Sequence, residues 1–165
     1  ILWRGKTLQI GTPDEVLRRP VSVDVARLVD LRNVFAGRIA SHDPAAGHTL
    51  LEWFGERLEL PHRPDLAVGT RIAWCIPPAE IVLHRRDRPS RGERENPISG
   101  LVAQAVRLGE ATVINLRPIA APTQTLSFTI PTHVAERNGL TSGVAASVSL
   151  LASGLHVMPW SATLE

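Results

Sequence analysis

Cysteine is almost missing from this sequence: Cys75 is the only one among 165 residues. A lone thiol cannot close an intramolecular disulfide, so the fold must hold by packing, and the chain suits a reducing compartment. Tyrosine is absent, and with three Phe and four Trp the aromatic share is only 4%. That is thin for a surface that stacks nucleic-acid bases. No apolar run reaches the roughly 18 residues that span a bilayer, and no signal-peptide pattern is present. Charge of one sign is scarce too, since 18 Lys and Arg against 16 Asp and Glu leave +2. So small an excess implies no polyanionic partner, although the pI is about 9.5. These absences point to a cytoplasmic globular domain.

Catalytic patterns are also wanting. No GxxxxGK[ST] loop is present to cradle a phosphate, and Ser153 lacks the flanking glycines of a nucleophile elbow. Of six histidines, none forms an HExxH pair. "SHDPAAGH" could gather His42, Asp43 and His48 around a metal, but it also has the composition of a polar hairpin turn. Cys75 has strand neighbours and reads as a small core residue. Without acid, base and nucleophile together, no enzymatic activity is expected of this chain.

What the chain does have begins with strong local signals. Around Arg4, Gly5 and Lys6 two short strands joined by a tight turn are predicted. Thr12, Pro13 and Glu15 spell a capped helix start, and Pro20 stops the helix. A second short helix from Ser22 would carry Val25, Leu28 and Val29 on one stripe. An isolated hairpin is marginal in water. The first ten or so residues should therefore pack least well, or borrow a partner from a second copy.

From Asn33 onward the pattern becomes strand-like and repeats itself. "NVFAGRI" from Asn33 matches "NPISGLV" from Asn96, an offset of 63 (96 minus 33). "VGTRIAWCIPPAEIVLH" from Val68 matches "SGVAASVSLLASGLHVM" from Ser142, an offset of 74 (142 minus 68). The second copy thus carries 11 extra residues. Arg71–Ile76 and Leu126–Ile130 alternate as half-buried strands. "HRRDRPSRGERE", His84 to Glu95, reads as a solvated linker, because Asp87, Glu93 and Glu95 interrupt its arginines. The expected division is 1–31, a first unit 32–84, a linker 85–95 and a second unit 96–160. Units of about 60 residues with short strands favour a mainly β fold of tandem OB-type barrels, since closure removes sheet edges. Each barrel would hold four strands, a short helix and a last strand pair, with "THVAERNGL" as the second unit's helix, capped by Thr132 and ended by Asn138-Gly139.

Tandem barrels can converge strand-end N–H groups into a nest for a small oxyanion. The groups following Asn33 and Asn96, with Ser153, are candidates. The alternative is that the two asparagines only start strands through side-chain-to-backbone bonds.

"RGKTLQIGTPDEVLRRP" resembles the closing segment of the ATPase domain of ABC importers. "VARLVDLRNVFAGRI" resembles the passage into the regulatory extension of that domain, and "IPPAEIVL" the end of a TOBE (transport-associated OB-fold) unit. "NPISGLV" through "GVAASVSLLASGLHVMP" is closer to the molybdate-binding Mop version. The resemblance implies a regulatory and dimerisation tail of an importer's ATP-binding subunit, of molybdate/tungstate type. It implies ATP and Mg in the ATPase domain and no cofactor in this chain. The implied partners are a second copy, through the barrels, and membrane permease subunits, at the inner face of the membrane. Arg32 with Asn33 matches the Arg-Asn start of a Mop unit, which adds Arg32 to the oxyanion candidates. In the second copy Glu95 precedes Asn96, Val134 stands for a usual Ser, and Leu151 replaces a Lys ahead of Ala152-Ser153. An OB-type nucleic-acid module or molybdate-responsive regulator is the other class. It would need a recognition helix-turn-helix or surface aromatics, and the sequence offers neither.

Overall fold

The computed structural model describes residues 1–84 and 95–164. The linker expected at 85–95 lies outside the described residues except for Glu95. The chain is mainly β and divides into two compact units, Ile1–Pro77 with Ala152–Glu165, and Pro78–Leu151.

The N-terminal hairpin forms as the sequence predicts. Strands β1 (Leu2–Trp3) and β2 (Lys6–Thr7) pair only with each other. Arg4 and Gly5 take φ of 49° and 75°, the left-handed turn whose twist suits a two-residue hairpin. Residues 1–7 are all exposed.

Helix α1 (Pro13–Arg18) starts in a complete capping box. Thr12 Oγ1 accepts the Glu15 N–H at 3.3 Å and Glu15 Oε2 accepts the Thr12 N–H at 2.8 Å. Those bonds hold the Glu15 carboxyl below its ordinary pKa. In α2 (Val23–Leu28), Ser22 caps the Val25 N–H. The buried residues are Val23, Val25 and Ala26, whereas Leu28, expected on the buried stripe, is exposed. The helix closes in a Schellman motif: the Leu31 N–H reaches Ala26 O and the Asp30 N–H reaches Arg27 O, with Asp30 at φ 56°.

The internal repeat is realised strand for strand. The first sheet uses β3 (Val34–Asp43), β4 (His48–Trp53), β5 (Glu56–Pro61) and β6 (Arg71–Cys75). After a 3₁₀ turn at Pro78–Glu80 comes β7 (Ile81–Leu83). The second copy supplies β8 (Glu95–Leu108), β9 (Ala111–Pro118), β10 (Leu126–Pro131), helix α3 (Thr132–Arg137) and β11 (Ala145–Leu151). A 3₁₀ turn at Ala152–Gly154 then leads to β12 (His156–Pro159). The sheet orders are β12-β6-β3-β4-β5 and β10-β9-β8-β11-β7, which are the same order read in opposite senses, all neighbours antiparallel.

The last strand of each repeat belongs to the other repeat's sheet. β7 pairs with β11 and β12 with β6. The compact units are therefore not the consecutive stretches 32–84 and 96–160: residues 78–84 join the second and 152–160 the first. The 3₁₀ turn before β12 packs on β5, and the turn before β7 packs on β10. Each sheet's far edge is thereby covered without a closing ladder.

Bulges fall at equivalent points, between Ile39 and Ser41 and between Val102 and Gln104. Gly37 and Gly100 occupy matching places, and at both a side chain would crowd the facing strand. A Cβ on Gly100 would lie 2.4 Å from Arg117 O, and one on Gly37 2.6 Å from Leu51 Cδ1.

The two cores differ in chemistry. In the first, Phe35, Trp53 and Trp74 form a cluster with ring centroids 4.9 to 5.2 Å apart. In the second, Ile98 and Val148 take the places of Phe35 and Trp74, beside Ile114, Leu116, Leu126 and Phe128. Arg71–Ile76 is not half-buried as its alternation suggests. From Ile72 to Ile76 every residue is buried, because Val23, Ala26 and Leu31 cover Ala73, Cys75 and Met158.

Helix α3 corrects two local expectations. Its N-cap is Pro131 with no side-chain bond, and Thr132 Oγ1 instead donates to Gly109 O and meets Thr112 Oγ1, both at 3.1 Å. Its end is as predicted: Gly139 at φ 59° follows Asn138, with Leu140 N–H returning to Ala135 O. The first unit has no helix between β5 and β6; the extra residues that form α3 occur only in the second copy.

Candidate functional site

Asn33 and Asn96 do the same job in the two units. Both are buried, and each side-chain amide donates across the sheet, Asn33 Nδ2 to Ile76 O at 3.2 Å and Asn96 Nδ2 to Leu150 O at 3.0 Å. Ile76 and Leu150 are themselves equivalent under the 74-residue offset. These bonds are the strand-starting role, since a buried amide left unpaired would cost about 1–3 kcal/mol. The nest expected behind them is reduced: the Val34 N–H is committed to Arg32 O at 3.0 Å, and Pro97 carries no N–H.

Arg32 and Ser153 both stay at the surface. Arg32 is exposed, with one guanidinium nitrogen 3.5 Å from Asp30 Oδ2, a surface pair of little strength. Ser153 is exposed on the 3₁₀ turn that packs against β5. Arg32, Asn33 and Ser153 belong to the first unit and Asn96 to the second.

His42, one of the metal candidates, is fully engaged by protein. Its Nε2 donates to Leu66 O at 2.7 Å and its Nδ1 meets Thr49 Oγ1 at 2.9 Å. That hydroxyl also accepts the Arg63 N–H at 2.9 Å. Asp43 accepts the Ala46 N–H at 2.9 Å and Gly47 sits at φ 70°, so "DPAAG" is the polar hairpin turn between β3 and β4. Among the described residues no group of three His, Cys, Asp or Glu is placed to hold a metal ion. Nearby, the Arg63 fork on Asp65, at 2.8 and 2.7 Å, drops that carboxyl to a pKa of about 2.

Cys75 is buried, and desolvation pushes its thiol up to about 12. That agrees with a core role and opposes a nucleophilic one. At the equivalent place in the second unit stands Ser149, and here the structure holds a polar cluster that motif reading did not find. His84 Nε2 meets Ser149 Oγ at 2.6 Å, and Ser149 Oγ donates to Glu95 Oε2 at 2.8 Å. Burial holds the His84 pKa below its ordinary value against the opposing pull of Glu95. Beside them Ser99 and Ser147 share a hydroxyl bond of 2.8 Å. The only sequence signal was the self-alignment, which sets Ser149 on Cys75 and His84 on Met158.

The cytoplasmic molybdate-binding protein ModG, solved with molybdate bound, matches with a TM-score of 0.67, covering 78% of this chain and 96% of that one. The two are 17% identical, so the likeness establishes the OB-type, Mop-like fold. No family model matches the chain, and no curated protein matches it by sequence.

Proposed function

We propose that this chain is the regulatory and dimerisation tail of the ATP-binding subunit of an ABC importer, sensing a small oxyanion such as molybdate or tungstate. The observation that carries the reading is the duplicated OB-type unit, together with its match to nearly the whole of a molybdate-binding protein. Exposed Arg32 supplies positive charge, exposed Ser153 a hydroxyl, and buried Asn33 and Asn96 brace the strands from which such groups project. An anion held this way would rely on a few directed donors rather than on net charge.

The importer context rests on the N-terminal segment. A hairpin exposed along its whole length runs into a capped helix whose sequence resembles the closing segment of an ABC ATPase domain, and such a hairpin gains stability by adding to a larger sheet. In this reading ATP and Mg belong to the ATPase domain, the tail is not itself an enzyme, and the complex sits at the cytoplasmic face against permease subunits. Among the described residues no helix is long and apolar enough to cross a membrane.

The reading is tested by calorimetric titration of the purified chain with molybdate, tungstate and sulfate, together with thermal shift. Saturable heat and a raised Tm with molybdate or tungstate support it. No heat and no shift with any of the three removes the sensing role.

A further inference from the structure

The two units differ most on one face of equivalent strands. Directly paired residues of neighbouring antiparallel strands point to the same side. In the first unit that face carries Val34, Ala36, Ala73, Cys75 and Met158, and Val23, Ala26 and Leu31 cover it. In the second unit the same positions hold Pro97, Ser99, Ser147, Ser149 and His84, whose N–H continues the ladder to Ser147 O. Helix α3 packs against β9 and β10. What lies at this place in the second unit is a cavity of about 340 Å³, lined by His84, Ser99, Ser147 and Asn138 and walled by Ile119 and Leu140. That volume is within the range of small-ligand sites.

The polar atoms around the cavity are mostly acceptors. Ser149 gives its proton to the Glu95 carboxylate, so its oxygen must accept from His84 Nε2–H. The neutral ring then offers Nδ1 as a bare lone pair. Asn138 spends one Nδ2 hydrogen on Val134 O at 2.8 Å, so its amide keeps one N–H as a donor and Oδ1 as an acceptor. Ser99 and Ser147 spend one hydroxyl proton on each other and keep one between them. Among the described residues no Lys or Arg side chain lines the cavity.

We propose that this cavity is a second binding site, distinct from any oxyanion site, for a small organic ligand that presents N–H donors: an amine, amidine or amide. The site lies where the first unit has an apolar seat for a helix and the second has hydroxyls and an imidazole. A tetrahedral oxyanion, itself only an acceptor, would find just the spare Asn138 N–H and one serine hydroxyl proton among a majority of acceptors.

The test is NMR titration of the ¹⁵N-labelled full chain with acetamidinium, nicotinamide and putrescine, with acetate and molybdate as acceptor-only controls. The expected result is saturable shifts at Ser99, Gly100, Ala146 and Ser147 with at least one donor probe and not with the controls. The first unit already carries Ala36 and Ala73 at the matching places, so the Ser99→Ala/Ser147→Ala variant should keep the fold, checked by unchanged resonances in the first unit. It should weaken the donor probe by about fivefold or more, and the Ser147→Ala single variant by a smaller factor. Failure of all three probes to shift these resonances, equal shifts from acetate or molybdate, or undiminished binding by both variants would overturn the proposal. Molybdate heat with no donor-probe response would sink this site and leave the sensing role standing.

Discussion

At the scale of single residues, Cys75, His156 and the paired glycines carry the clearest consequences. Because burial raises the Cys75 thiol to about 12, the native chain should react with a thiol reagent such as DTNB far more slowly than the urea-unfolded chain. Equal rates would contradict the buried placement. His156 is held below its ordinary pKa by burial first and by the charges of Arg63 and Arg19, against the raising effect of its 2.9 Å bond to Pro20 O. His84 is shifted the same way. As pH falls through the ordinary value of 6.5 the unfolded chain gains these protons before the folded one, so stability present above pH 6.5 declines below it. Melting at pH 7.5 and 5.5 should show the lower Tm in acid, and His156→Gln should narrow the gap. The contribution of Asp65 is lost separately, as pH falls from 3.8 through about 2. For the glycines, Gly100→Ala should cost about 1–3 kcal/mol by urea unfolding and Gly37→Ala less. The added methyl meets the fixed Arg117 carbonyl in one case and the end of a Leu51 side chain in the other.

At the scale of elements, Asp30 closes α2 in a left-handed conformation that costs an L-residue about 1 kcal/mol. Asp30→Gly should therefore raise stability by a few tenths to about 1 kcal/mol, and Asp30→Ala should not; urea denaturation of both variants separates them. Much of the local structure was legible because it is set by nearby residues. The hairpin at Arg4-Gly5, the Thr12–Glu15 box and the Asn138-Gly139 stop all formed as their patterns require. Thr132 misled because its hydroxyl found Gly109 O and Thr112, partners far away in sequence. Likewise, strand alternation at Arg71–Ile76 could not show that a helix would cover the second face. The self-alignment located β7 and β12 as equivalent strands, but short apolar strands such as Ile81-Val82-Leu83 can complete either sheet. Which copy each one joins depends on long-range pairing that local pattern does not encode. Asn33 and Asn96 open equivalent strands, and their bonds to Ile76 O and Leu150 O are structural. The His84–Ser149–Glu95 cluster carries no motif spacing, since Ser149 is 65 residues from His84.

At the scale of the whole molecule, two OB-type units share one strand order and differ in both core and face. The first has an aromatic core and a helical cover over Cys75; the second has an aliphatic core and a polar, open face around Ser147. The exposed N-terminal hairpin, with Leu2 71% and Trp3 49% accessible, is the part most in need of a neighbour. If the chain works as a dimerisation tail, light scattering should report a dimer at micromolar concentration, and a monomer would count against that assembly. The central claim concerns the ligand, and calorimetric titration of the chain with molybdate, tungstate and sulfate tests it most directly. The account predicts saturable heat for molybdate or tungstate accompanied by a rise in Tm; no heat and no thermal stabilisation with any of the three would contradict it.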